Sequence, residues 1–254
     1  MIEIHYSLPD YSSQTILTGD PNKYAWREIA YFDPEPVLNL LAQERDKNIS
    51  YLQCPAFTNY YKNCYLIRCP FDLTISLDPV TNSFRTNEFD QEFYDKYLVD
   101  RVDQNNIYRM LSLRILYLFY SEHEVLMQQI SPSMHKTELI NNINIIHGEF
   151  DISKWIRPVE FSFEIVDKTK PLILKRGDPL FYIRFATNET VKLIRSPMTE
   201  ELNYISSACL YAKDVIRKQS LNERYESAKS LISSYKDKIF GKKSKCPFSF
   251  LRRK

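Results

Sequence analysis

Val159-Glu-Phe-Ser-Phe-Glu-Ile-Val166 is the stretch on which the fold class turns. Phe161, Phe163 and Ile165 alternate with Ser162 and Glu164. Successive side chains of an extended strand point to opposite faces, so this period of two predicts a strand with one buried face. Asp72-Leu-Thr-Ile-Ser-Leu-Asp78 repeats the pattern and places Leu73, Ile75 and Leu77 toward a core. Working outward, the same criterion predicts strands at residues 2–7, 51–54, 64–69, 143–146, 172–174, 180–185 and 191–194. Residues 113–120 and 125–130 read as a hairpin turning through Ser121-Glu-His-Glu124. Lys175-Arg-Gly-Asp-Pro179 reads as a turn between two strands.

Helical signals are confined to two places. Val37-Leu-Asn-Leu-Leu-Ala42 opens a short helix after a polar, proline-punctuated stretch that runs from Pro9 to Pro36. Beyond Pro197 the apolar period changes to about 3.6. Thr199 is a suitable N-cap for a helix carrying Leu202, Ile205, Cys209, Ala212 and Ile216 on one face. Ser220-Leu-Asn-Glu223 has the spacing of a capping box and opens a second helix through Tyr225, Ala228, Ile232, Tyr235 and Ile239, closed by Gly241. The expected organisation is a β-rich domain over residues 1–197, with its core at about 49–195 and a polar, acidic excursion at 79–105. C-terminal helices follow at 198–241, and a basic tail at 242–254.

Composition removes several function classes. The 44% hydrophobic content, with 15 Phe and 18 Tyr, supplies a sizeable core and argues against general disorder. The four glycines, Gly19, Gly148, Gly177 and Gly241, are too scattered to build a phosphate-cradling loop, which excludes P-loop and Rossmann readings. The longest apolar run, residues 111–120, is interrupted by Ser112 and Arg114 and is shorter than the ~20 residues that span a bilayer. Met1-Ile-Glu-Ile-His-Tyr6 lacks the basic flank and apolar run of a signal peptide. A soluble, intracellular protein with neither export nor membrane insertion is expected. The five cysteines are odd in number and without C-x-x-C spacing, which predicts reduced thiols. Cys54, Cys64, Cys69 and Cys246 are a conceivable zinc set, against the reading of buried structural cysteine. No metal and no cofactor is predicted.

Net charge is +2, but the segment from Gly241 to Lys254 carries six cations and no acid, leaving −4 on the rest. In that tail Lys242, Lys243, Lys245, Arg252, Arg253 and Lys254 flank Phe248, Phe250 and Leu251. The pattern suits docking of the apolar residues into a protein partner. It also suits contact with nucleic acid or another polyanion, or simply a solubilising end.

Four constellations bear on chemistry. His147-Gly-Glu149 has the H-x-(D/E) spacing of a non-haem iron facial triad, which needs a second histidine downstream. The remaining histidines, His5, His123 and His135, all precede it, so a polar residue at a strand end is the competing reading. Asp151, Lys154, Trp155 and Arg157 combine a stacking face with a guanidinium clamp for an anion or a base. Structurally, the same residues would anchor the sheet through Trp155 and pair Arg157 with Asp151 or Asp178. Ser131-Pro-Ser133 with His135 lacks an orienting acid and a nucleophile elbow, so nucleophilic catalysis is not supported. Asp72, Glu149, Asp151 and Asp178 read as solvated turn carboxylates rather than an acid/base pair. The candidate ligand-binding set is His147, Glu149, Asp151, Trp155 and Arg157.

Three segments carry a resemblance. They are Cys54-Pro-Ala-Phe57 with Asn63 and Cys69-Pro-Phe-Asp-Leu73; His147-Gly-Glu-Phe-Asp-Ile-Ser-Lys-Trp-Ile-Arg-Pro158; and Lys175-Arg-Gly-Asp-Pro-Leu-Phe-Tyr-Ile-Arg-Phe185. Together they resemble an uncharacterised protein family carried by tailed phages of marine cyanobacteria. That family is distantly similar to a bacterial domain family of unknown function, in which a glycine, an acid and a tryptophan precede paired strands and a Gly-Glu-Pro or Gly-Asp-Pro turn. The likeness spans roughly residues 50–195 with a gap around 79–105, and it implies an origin rather than an activity. The same stretch resembles the β-clip fold of dUTP-hydrolysing enzymes, but Gly177-Asp178 continues into Pro179-Leu-Phe181, and the phosphate- and uracil-binding segments of such enzymes are not found.

The expected fold is α+β and mainly β: an antiparallel β-sandwich, or a β-clip or jelly-roll-like barrel, with a C-terminal helical segment. The expected function is a phage-encoded accessory or assembly protein acting by binding, in the cytoplasm of the infected host or on the virion, with a protein partner engaged by the tail. The alternatives are a small-molecule or nucleotide-modifying enzyme with a pocket near residues 147–157, and a nucleic-acid-binding protein using the tail.

Overall fold

The computed structural model describes residues 1–8, 31–44, 50–78, 83–86, 98–102, 109–214 and 220–240. In chain order the elements begin with β1 (Ile2–Ser7), β2 (Glu35–Pro36), α1 (Val37–Glu44), a 3-10 turn (Ser50–Gln53), α2 (Pro55–Tyr61), β3 (Cys64–Arg68), β4 (Leu73–Asp78) and β5 (Ser83–Thr86). They continue with β6 (Leu98–Val102), β7 (Arg109–Arg114), β8 (Leu118–Tyr120), β9 (Leu126–Ile130), α3 (Glu138–Asn141), β10 (Ile143–Ile145), β11 (Gly148–Asp151) and β12 (Glu160–Ile165). The last are β13 (Leu172–Leu174), β14 (Pro179–Ala186), β15 (Val191–Arg195), α4 (Glu200–Asp214) and α5 (Leu221–Ile239).

The strands form four sheets with orders β15-β1-β8, β10-β12-β7-β6, β11-β9-β14-β3-β2 and β13-β4-β5. The fold is α+β and mainly β, and no barrel closes among the described residues. The barrel alternative is therefore corrected: each sheet ends in edge strands among the described residues. One pair also departs from an all-antiparallel arrangement, because β1 and β15 run parallel, with Ile2 opposite Val191 and Tyr6 opposite Arg195. A parallel pair cannot be joined by a tight turn, and here residues 8–190 lie between the two strands.

The main core joins all four sheets. Phe161 and Phe163 of β12 are fully buried, and Phe161 stacks on Phe181 of β14 with ring centroids 5.3 Å apart. The opposite face of β14 is buried too: Tyr182, with Cys64 and Leu66 of β3, lies under Val37, Leu40 and Leu41 of α1 and Tyr61 of α2. A third cluster holds the C-terminal helices. Leu202, Ile205 and Cys209 of α4 and Ala228, Ile232 and Ile239 of α5 pack on Leu118, Tyr120, Trp155 and Ile156. Both predicted caps are present: Thr199 Oγ1 accepts from the Leu202 amide at 3.2 Å, and Ser220 and Glu223 form the reciprocal capping box. Ile216 and Gly241 lie outside the described residues.

Three local expectations are overturned. Residues 51–54 belong to a 3-10 turn and the N-cap of α2 rather than a strand, because Pro55 sits in the first turn of that helix. The stretch 79–105 is no simple excursion, since β5 pairs with β4 and β6 pairs with β7. The expected hairpin does not form: β8 pairs with β1, whereas β9 pairs with β11 and β14. The cause lies at Ile115 to Tyr117, which wraps around Val159. The Ile115 amide donates to the Val159 carbonyl, and the Val159 amide donates to the Tyr117 carbonyl, both at 2.9 Å. This detour ends β7 and redirects residues 118–120 onto β1. No helix among the described residues is long and apolar enough to cross a membrane.

Candidate functional site

The segment nominated from sequence is built around a turn. Asp151 closes β11, and its Oδ1 accepts from the Ser153 amide at 2.9 Å and from Ser153 Oγ at 2.6 Å. Lys154 Nζ lies 3.0 Å from Oδ2 and also reaches Glu124. The Trp155 amide donates to the Asp151 carbonyl at 3.0 Å. Burial alone would push the Asp151 carboxyl up, but the hydrogen bonds from Ser153 and Lys154 outweigh it and hold the group below the usual carboxylate range. The turn drives Trp155 into the helical cluster, where the residue is 4% exposed and its ring lies 5.8 Å from that of Tyr225 on α5.

Between this loop, the outer face of β12, the β9–β11 edge and α5 lies a cleft of about 290 Å³. His147, Glu149, Trp155 and Arg157 line it, so four of the five nominated residues converge; the fifth, Asp151, is occupied in the turn beside it. His147 and Glu149 are exposed, and Glu149 Oε2 accepts from Gln128 Nε2 at 2.5 Å. The Arg157 guanidinium lies 5.0 Å from the centroid of Phe150. The acid that the structure places beside Arg157 is Glu160, at 3.9 Å, rather than the expected Asp151 or Asp178.

Sequence reading missed five further lining residues that bring polar or aromatic groups: Gln129, Glu160, Ser162, Arg224 and Tyr225. Glu160 is buried, and its carboxylate has three guanidinium neighbours: Arg101 and Arg157 at 3.9 Å and Arg114 at 3.7 Å. Ser162 Oγ shares a 2.8 Å hydrogen bond with Ser112 Oγ across the β12–β7 pair. Gln129 is 9% exposed, and its side-chain amide nitrogen has no hydrogen-bond partner among the described residues. A glutamine at the inward-facing parity of a strand was the available signal, since Met127 two residues earlier faces the core.

The other candidates are accounted for locally. His135 Nδ1 is hydrogen-bonded with Tyr182 Oη and its Nε2 lies 3.3 Å from Glu44 Oε2, while Ser133 Oγ pairs with Tyr61 Oη at 3.0 Å. The two members of the supposed Ser–His pair are thus each committed elsewhere. Asp72 Oδ1 accepts from the Arg176 amide at 2.8 Å and holds the 175–179 turn, in which Gly177 has φ +89°. Burial pushes the Cys64 and Cys69 thiols up to about 12 and Cys209 up to about 11. Among the described residues no group of three or more His, Cys, Asp or Glu is placed to hold a metal ion. The tail residues 242–254, and with them Cys246, lie outside the described residues. No protein-family model and no curated protein matches this chain.

Proposed function

We propose that this chain is a phage-encoded accessory or assembly protein that acts by binding rather than turnover, and that it holds a small molecule in the cleft beside β12. The observation that carries the reading is the convergence of His147, Glu149, Trp155 and Arg157 with Gln129 and Arg224 on one concave surface. Binding is favoured over chemistry by the state of the reactive groups. Asp151 is tied into its turn, His135 is committed to Tyr182 and Glu44, and the buried cysteines are held as thiols, which are poor nucleophiles.

The phage origin rests on the resemblance carried by the three motif segments. The cationic tail supports an additional contact with a protein partner or a polyanion.

The test is to incubate the purified full chain with a small-molecule extract of cyanobacterial cells, repurify it, and identify retained compounds by mass spectrometry over time. Retention of one compound, unchanged in mass, is expected, and truncation of residues 242–254 should leave it intact. Conversion of the retained compound, or no retention at all, overturns the binding reading. Peptides of the chain in infected cells or purified virions would bear on the phage origin, and their absence from both would remove it.

A further inference from the structure

We infer that the cleft is a site for a small planar carboxylate, such as an aromatic acid, an assignment that rests on reading this cleft as the protein's binding site. Strand register supplies the first argument. Gln129 stands opposite Gly148 on β11 and opposite Ile183 on β14. Residues directly opposite in an antiparallel sheet share a face, so the three form one row that runs from buried Ile183 through buried Gln129 to exposed Gly148. In that row Ile183 is core, Gln129 brings a buried amide donor with no partner among the described residues, and Gly148 brings nothing. A Cβ added at Gly148 would meet no atom within 4 Å. The cleft is therefore open at Gly148, an exposed position one strand away from the buried Gln129 amide.

The second argument is the chemistry of the walls. Arg157 and Arg224 line the same cleft, and guanidinium forks match the planar geometry of a carboxylate. Phe150, Trp155 and Tyr225 supply flat apolar surface for the remainder of the ligand. Glu149 and Glu160 also line the cleft, which disfavours a doubly charged phosphate ester against a singly charged carboxylate. The volume, about 290 Å³, falls just below the roughly 300–1,000 Å³ typical of small-molecule sites, which suits a small ligand.

The experiment is calorimetric titration of the full chain with benzoate, with benzamide as the uncharged analogue and adenosine monophosphate as the phosphate arm. Benzoate should bind saturably and benzamide at least about tenfold more weakly, since it lacks the charge that strengthens each hydrogen bond. Gly148→Leu should abolish benzoate binding by filling the open space while circular dichroism stays unchanged. If that variant fails to fold, Arg224→Gln, at a half-buried position of α5 in the cleft wall, is the substitute, expected to weaken benzoate by about tenfold.

Equal binding of benzoate and benzamide, preference for adenosine monophosphate, or benzoate binding indifferent to both substitutions overturns the carboxylate assignment. If no benzoate binds but a cell-derived compound is retained and is lost in Gly148→Leu, the assignment fails and the binding reading stands. If nothing is retained and no probe binds, both fail.

Discussion

Two neighbouring rows of side chains run across β11, β9 and β14 on the same inward face of one sheet. Phe150, Met127 and Phe185 make the first row; Gly148, Gln129 and Ile183, two positions along each strand, make the second. Their backbone pairing is equivalent, yet in the first row Met127 and Phe185 are buried in the main core and Phe150 packs against it at the border of the cleft, whereas in the second row Ile183 is core and Gln129 and Gly148 line the cleft. The difference comes from two residues: a methionine gives way to a glutamine and a phenylalanine to a glycine. Dry core and a pocket of about 290 Å³ thus share a single scaffold, which rigidly positions the second through the packing of the first.

The largest effect should come from breaking the apolar row. Phe185→Ala removes a fully buried ring that packs edge-on against Tyr65 and Phe119, and such truncations cost about 3–5 kcal/mol. Urea unfolding of the variant should show that loss as a lower midpoint. A cost below about 1 kcal/mol would mean that the row is not the support assumed here.

A smaller effect is expected where β11 leaves both rows. Asp151 ends that strand opposite Leu126 and holds the turn that delivers Trp155 to the cleft wall. Asp151→Asn should cost about 1 kcal/mol at pH 7, the worth of charge-assisted hydrogen bonds partly retained by the amide. The folded carboxyl titrates below its unfolded value, so its stabilisation is fully present above the unfolded pKa of about 3.9 and is lost as pH falls through the lower folded pKa. The gap between wild type and variant should therefore be constant from pH 7 to about 5 and close in stronger acid. Thermal unfolding across that range checks it; a gap that widens on acidification contradicts the assignment.

The contrast between the rows also marks what sequence can convey. Alternation in Phe161-Ser-Phe-Glu-Ile165 fixes a buried face from local information, and the helix caps at Thr199 and Ser220 are equally local, so these are legible. The site residues at 147–157 were legible as a dense cluster of chemistry within one short stretch of sequence. Gln129, Glu160 and Arg224 were not, because each is brought in by pairing or packing that no short window encodes. Glu160 stands opposite Arg114 only through the β12–β7 register, and Arg224 arrives on a helix docked through Trp155 and Ile156. The failed hairpin has the same origin: the turn at Ser121 to Glu124 looked local, but the wrap of residues 115–117 around Val159 is a long-range event.

The smallest effect has the opposite sign and sharpens the comparison most. Gln129→Met gives the second row the residue type that the first already has. The side chain is close in length and removes a buried amide donor that lacks a partner among the described residues. An unsatisfied buried polar group is unfavourable, whereas an apolar side chain at an inward position gains from burial. The variant should be stabilised by up to about 1 kcal/mol in urea unfolding while its capacity to retain a ligand in the cleft falls. A site kept for binding carries such a residue against the interest of stability; a residue kept for packing does not. Loss of stability in Gln129→Met, with ligand retention unchanged, would mean that Gln129 is structural and that the two rows differ only in shape.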